Sequence, residues 1–337
     1  MTPPMRSGLL AAGNWIIDHV KLIDAWPEQD TLANISTQSW GNGGSPYNIL
    51  KDLARLGAPF PLAAIGLVGD DADGRRIVDD CRAHGIDTAQ LRVTPDAPTS
   101  YTDVMSVQGT THRTYFHQRG ANARLGPEHF DFAASNAKIF HLGYLLLLDR
   151  LDEPGVAARL FAAARAAGLK TSLDMVSDAS DRFRTVVLPV LPHIDHFFAN
   201  DFEAEKLTGL ALGRGTALDR RAVEQAARAL IAHGVRESAI IHFPEGACAC
   251  SATGDLVWQP SVRVPAEAIG GTAGAGDAFA AGVLLGLHEG WPMIRSLELG
   301  VCAAASSLRH PTTSDSVAPI AECLALGAKW GFQTLPR

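Results

Sequence analysis

From Ala137 onward, short apolar runs alternate with longer segments of helical period, and this alternation constrains the fold more than any other feature. KIFHLGYLLL, LKTSLDM, HFFAN and SAIIHF read as strands, and 154–167, the segment after Asp201, and 221–232 read as helices between them. Strands separated by helices predict a mostly parallel sheet with helices on both faces, a doubly wound α/β arrangement. The first third follows the same grammar. Residues 8–17, with Asn14 inside, are predicted to form one buried strand ending at Asp18, and a helix over 48–56, a strand LAAIGLVG and a helix over 73–84 follow. Two β-rich pieces interrupt it: the stretch running to about Trp40, and 99–118, which turns at Gln108-Gly109. They are expected to pair into one small sheet inserted in the larger domain. Helices over 293–308 and 319–330, joined by RHPTTSDS, close the chain.

Composition bounds the class. With 337 residues, 47% hydrophobic and 19% charged, the chain can bury a large core. A net charge of -7 argues against a nucleic-acid partner, and any anionic ligand needs local positive groups. The five cysteines form no CxxC pair, so reduced thiols in a cytoplasm are expected. Cys248 and Cys250 alternate in ACACSA, which places both on one face of a strand as buried residues rather than metal ligands. No apolar run approaches the roughly 18 residues of a membrane span, and MTPPMRSG is not backed by the apolar core of a leader. The expectation is a protein neither exported nor embedded in a membrane.

The segment GTAGAGDAF, 271–279, carries the chemistry. Gly274, Ala275 and Gly276 open an apolar helix, so their backbone N–H groups are unpaired and form an anion cradle. Asp277 follows in the first turn, placed to accept a proton from a hydroxyl attacking a phosphate held there. A glycine-rich helix start with an early acid also serves plain packing and the macrodipole, so the segment alone leaves both readings open. The spacing Gly274, Gly276, Phe279 does not make a dinucleotide fingerprint, and no GxxxxGK[ST] string occurs.

Other motifs stand in order around this one. GGSPYNILKDLARLG, 43–57, supplies Gly43, Gly44 and Asn48; GLVGDDADG occupies 66–74; NDFE, 200–203, supplies Asn200 and Glu203. Together with GAGD they resemble the ribokinase-like, or PfkB, carbohydrate kinases over nearly the whole chain. That resemblance implies a ribokinase-like fold as a single domain over 1–337, with 15–45 and 97–122 forming a β-sheet lid that closes over the sugar and pairs with a second subunit as a homodimer. It implies ATP-dependent phosphorylation of a primary hydroxyl on a ribose-, fructose- or 2-keto-3-deoxygluconate-like sugar. Asp277 would be the base, and the amides from Gly274 through Asp277 the anion hole. Asp18, Gly43, Gly44 and Asn48 would hold the sugar, and Asn122 and Arg119 in RGANARL are further candidates. Asn200, Glu203, Thr272, Gly274 and Gly276 would face ATP, with Glu203 reaching magnesium through water.

Departures from the family pattern qualify it. The acid that opens DTxGAGD, in several members a ligand of an activating monovalent cation, is Gly271 here, which puts potassium activation in doubt. The nucleotide-side TxGxxG becomes HFPEGA, 242–247, one residue shorter, and His242 is expected to be structural. Trp15, Trp40, Tyr101, Tyr115 and Phe116 would suit a nucleoside base, so an adenosine-type nucleoside kinase is the alternative. A non-catalytic sugar- or nucleotide-binding sensor is the reading from another class.

Overall fold

The computed structural model describes residues 6–110, 113–178 and 180–335; the opening MTPPM, and His112 within the expected hairpin, lie outside them. Strand β1 (Leu9–Gly13) enters the large sheet and leaves it after Gly13. Gly13 has φ 135, and a Cβ there would stand 2.1 Å from the Gly143 carbonyl oxygen, so this exit requires glycine. Asn14 and Trp15 carry the chain into β2 (Ile16–Ile23), which belongs to a second sheet. The single strand expected over 8–17 is therefore two, and Asp18 is the third residue of β2. The break is hidden in the sequence because Leu10, Trp15 and Ile17 are all buried, which keeps the run apolar on both sides of it.

The chain continues through β3 (Ile35–Gly43), α1 (Ser45–Leu56), β4 (Leu62–Gly69), α2 (Ala72–Ala83), β5 (Ile86–Thr94), β6 (Ser100–Val107) and β7 (Arg113–Gln118). Then come β8 (Ile139–Leu145), α3 (Val156–Ala166), β9 (Lys170–Met175), β10 (His196–Asn200), α4 (Asp201–Thr208), α5 (Arg220–Ala232) and β11 (Ser238–Phe243). Strands β12 (Gly246–Ser251) and β13 (Leu256–Pro260) precede α6 (Ala275–Glu289), α7 (Met293–Ser307) and α8 (Ile320–Trp330).

Nine strands form the large sheet in the order β13-β12-β11-β10-β9-β8-β1-β4-β5, and four form the small one in the order β3-β2-β6-β7. The large sheet is parallel from β11 to β5, with β12 and β13 antiparallel at one edge. The period of two sorts its side chains: Leu10 and Ala12 join the core on one face, Leu9 and Ala11 the core on the other. Helices α3 to α5 cover the first face, and α1, α2 and α6 to α8 cover the second. Each fully buried leucine or phenylalanine in these layers contributes roughly 1.5–3 kcal/mol. Cys248 and Cys250 share the first core, as their alternation implies. Helices α6 and α7 pack backbone against backbone, since a Cβ on Gly282 would lie 2.8 Å from the Gly300 Cα.

Candidate active site

The large sheet's strand ends and the start of α6 enclose two adjoining cavities, of about 800 Å³ and about 250 Å³. Ser177, Asn200, His242, Thr272, Ala275 and Gly276 line both. Parallel strands leave such a crevice at their carboxyl ends because the connections diverge there.

Helix α6 begins in the crevice. Gly274 has φ 76, and a Cβ on it would meet the Thr313 Cβ at 2.7 Å, so glycine at this cap is set by backbone and neighbour together. The helix's hydrogen bonding starts from Ala278 N, which donates to the Gly274 oxygen at 2.8 Å. The N–H groups of Ala275, Gly276 and Asp277 precede it and form the positive end of the helix.

Asp277 is buried, at 4% exposure. Its Oδ2 accepts from Asn48 Nδ2 at 2.7 Å and from the Tyr144 hydroxyl at 3.1 Å. Burial, followed by the neighbouring Asp174 charge, pushes its pKa up to about 7, against the hydrogen bonds from Asn48 and Tyr144. Asn48 is itself fixed: its Oδ1 accepts from Asn42 Nδ2 at 2.7 Å and from Thr313 Oγ1 at 3.2 Å.

Where β2, β3 and α1 meet, a Cβ on Gly43 would fall 2.7 Å from the Asp18 carboxylate, and one on Gly44 would fall 2.0 Å from the Asn14 carbonyl oxygen. The diglycine thus lets β3 and α1 close on β2. Burial raises the Asp18 pKa to about 7, opposed by the Thr102 hydroxyl. Thr102 Oγ1 lies 3.1 Å from His117 Nδ1.

On the other side of α6, Asn200 and Glu203 form a capping box at the start of α4. Glu203 N donates to Asn200 Oδ1 and Asn200 N to Glu203 Oε2, each at 2.9 Å. Ser177 Oγ donates to Glu203 Oε1 at 3.0 Å and accepts from Asn200 Nδ2 at 2.8 Å. Burial lifts the Glu203 pKa to about 8. Among the described residues no group of three His, Cys, Asp or Glu converges as a metal centre. A single buried carboxylate beside an anion cradle is the donor set that hydrated magnesium on phosphates uses.

Several expected residues are placed otherwise. Asn122 is fully buried, its amide committed to Trp15: Oδ1 accepts from Trp15 N at 3.2 Å and Nδ2 donates to Trp15 O at 3.1 Å. It clamps the crossing between the two sheets instead of lining either cavity. Arg119 is drawn outward by Asp149, Nη1 to Oδ1 at 2.6 Å. Trp15 is not a lid aromatic; its ring is fully buried and its Nε1 donates to the Ile65 carbonyl. His242, expected to be structural, packs against Phe279 at the cavity wall. It ends β11 opposite Asn200 on β10, lines both cavities and stands 3.3 Å from where a Cβ on Gly276 would be. Burial pulls its pKa down to about 4, so the ring is neutral at neutral pH. Tyr144 and Asp174 carry no motif and escape sequence reasoning; Asp174 does end a strand, the same signal that drew attention to Asp18.

The sequence matches the pfkB family carbohydrate kinase profile over residues 11–321. The chain belongs to that family. This carbohydrate kinase is 31% identical over 320 residues to an ATP-dependent ribose-1-phosphate kinase of Halopiger xanaduensis, covering 94% of this chain and 96% of the relative. It is 25% identical to a 5-dehydro-2-deoxygluconokinase of Shouchella clausii, over 84% and 85% of the two chains. Among solved structures, Arabidopsis thaliana ribokinase complexed with ribose and ATP superposes with a TM-score of 0.79 at 22% identity, covering 96% of this chain and 99% of that one. The kinase fold is therefore ribokinase-like, and among the described residues no helix is long and apolar enough to cross a membrane.

Proposed function

We propose that this kinase transfers the γ-phosphoryl group of ATP to a primary hydroxyl of a small sugar, with a ribose skeleton as the first choice. The carrying observation is Asp277: a buried carboxylate, raised to a pKa of about 7, one residue behind the Gly274–Gly276 cradle and tied to the sugar-side helix by Asn48. The names of the ribose-1-phosphate kinase and ribokinase relatives support the choice of sugar.

The larger cavity, walled by Val262, Val264, Ile269 and Phe279, suits the base and ribose of a nucleotide. Bound there, ATP would supply the phosphoryl group, and Glu203 would hold, through water, the magnesium that neutralises its phosphates. Asp18, Gly43, Gly44 and Asn48 hold the sugar. Asp277 takes the proton from the acceptor O–H as its oxygen bonds to phosphorus; the β,γ-bridging P–O bond breaks and its electron pair leaves with ADP. The amides of Ala275, Gly276 and Asp277 stabilise charge on the group in flight. The four-stranded sheet acts as a lid that excludes water. Gly271 offers no side chain to a monovalent cation, so potassium dependence through that position is not part of the proposal.

The lid also presents apolar surface: Trp26, Ile35, Trp40, Tyr115 and Phe116 are exposed, with Trp26 stacked on Phe116. A second copy of the chain covering this face would make the homodimer, and sedimentation of wild type against Phe116→Glu tests it. Activity is tested by ADP release with Mg-ATP against ribose, ribose 1-phosphate, fructose, keto-sugar acids and nucleosides, with and without potassium. Turnover of a sugar supports the reading; turnover of nucleosides alone replaces it with the nucleoside kinase; ligand binding with no turnover replaces it with the sensor.

A further inference from the structure

Strand β8 ends irregularly. Its pairing with β9 shifts register between Leu142 and Leu145, and Tyr144 and Leu146 have φ of 57 and 85. Asp30 is the one other non-glycine residue at positive φ among those described, so left-handed backbone concentrates at this strand end. For a residue with a Cβ this conformation is sterically disfavoured and persists only where the surroundings impose it. Here they do. Tyr144 N donates to Asp174 Oδ1 at 2.8 Å, and its carbonyl accepts from Asn14 Nδ2 at 3.2 Å.

A register break of this kind re-aims a side chain. The side chain it re-aims belongs to Tyr144, whose hydroxyl donates to Oδ2 of Asp277 at 3.1 Å. Asn48 donates to the same oxygen from the opposite element, and its orientation is not free, because its carbonyl oxygen is occupied by Asn42 and Thr313. Both donors grip Oδ2, and the neighbouring Ser45 hydroxyl gives its proton to Asp174 Oδ2 at 2.7 Å, which leaves Oδ1 to the acceptor.

We propose that Tyr144 is a positioning residue for the base: with Asn48 it anchors Oδ2 of Asp277, so that Oδ1 receives the acceptor's proton. The assignment rests on Asp277 being the base of the reaction proposed above. The groups facing this pair are the carboxyls of Asp174 on β9, Asp18 on β2 and Asp52 on α1, with the Asn48 amide and Ser45 hydroxyl from α1. The Tyr144 hydroxyl stays protonated beside them, since burial and these charges hold its pKa well above the usual phenol range. It is thus a donor throughout the working pH range.

Tyr144→Phe removes the donor and keeps the ring. Losing one hydrogen bond to the ionised carboxylate raises its pKa, so the acidic limb of kcat moves up by about one pH unit. At neutral pH kcat falls about 10-fold while sugar and ATP KM stay within about two-fold, and the deficit narrows as pH rises. The Asp277 carboxyl is also followed by 13C NMR titration without substrates, its signal assigned by its loss in Asp277→Asn. An unmoved carboxyl titration in Tyr144→Phe, or an unmoved limb with kcat within two-fold of wild type, overturns the proposal. A shifted titration in a protein that turns over no sugar sinks the kinase reading, and with it the role of Tyr144 in positioning a base, while leaving the hydrogen bond in place. A merely structural Tyr144 would lower the melting temperature and shift neither.

Discussion

Asn48 Nδ2 and Asp277 Oδ2 lie 229 residues apart in sequence and 2.7 Å apart in space. The bond joins α1, which starts at the diglycine, to α6, which starts at the anion cradle. The diglycine segment and the GAGD segment are thereby tied directly to each other, so a change to either helix reaches the other.

Replacing the carboxylate tests the base directly. Asp277→Asn preserves volume and is expected to lower kcat by roughly 10²–10⁴-fold while ATP binding by calorimetry changes little. Asn48→Ala removes both the proposed sugar contact and the Oδ2 donor, so kcat is expected to fall and sugar KM to rise together.

The pH dependence has a definite sign. A base titrating at about 7 must be ionised to act, so kcat/KM rises with pH through that value and levels above it. Stability runs the other way. The folded chain binds the Asp277 proton more tightly than the unfolded chain, so this group's contribution is fully present below the ordinary Asp range, near 3.8, and is lost as pH climbs through about 7. Each unit of such a shift corresponds to about 1.4 kcal/mol, and Asp18 and Glu203, raised to about 7 and about 8, add the same sign. Urea denaturation at pH 5 and pH 8 should show Asp277→Asn gaining on wild type at the higher pH.

The capping box at α4 separates folding from metal affinity. Glu203→Gln keeps an acceptor for Asn200 N and should leave the melting temperature nearly unchanged, while the magnesium concentration for half-maximal rate rises about 10-fold or more. Asn200→Ala loses the cap and should cost about 1 kcal/mol by chemical denaturation.

The two cradle glycines should respond differently. Gly274→Ala forces a Cβ onto Thr313 at a positive φ and is expected to destabilise the fold by about 1–3 kcal/mol and to abolish most activity. Gly276→Ala presses only on the His242 ring at 3.3 Å, so the fold should persist and ATP KM should rise. Melting curves and ATP titrations of the two variants decide it.

Most of the architecture was legible because it is written locally. The alternation of apolar strands and helical segments marks the parallel sheet, and GAGD marks the start of α6. What escaped depends on distance or on backbone angles. The break at Gly13 lies inside a run that is apolar on both sides of Asn14, and the dihedral at Gly13 reveals it. Edge strand β5 is partly exposed and carries polar residues, which removes the apolar signature of a buried strand. Tyr144 meets Asp277 across 133 residues through a left-handed turn that no composition announces. Asn122 was a substrate candidate through the resemblance of RGANARL to a family segment, yet its partner is the Trp15 backbone, visible only once both sheets are assembled.

The contact between Gly282 and Gly300 acts as a fulcrum. From Gly282 to Ala275 the helix runs about 10 Å, so a methyl group that tilts α6 by about 5° swings its tip by nearly 1 Å. A displacement of that size at the reacting groups can lower the rate about 100-fold. Substitutions at Gly282 or Gly300, two turns from the start of α6, would then present as failures of catalysis in a protein that folds.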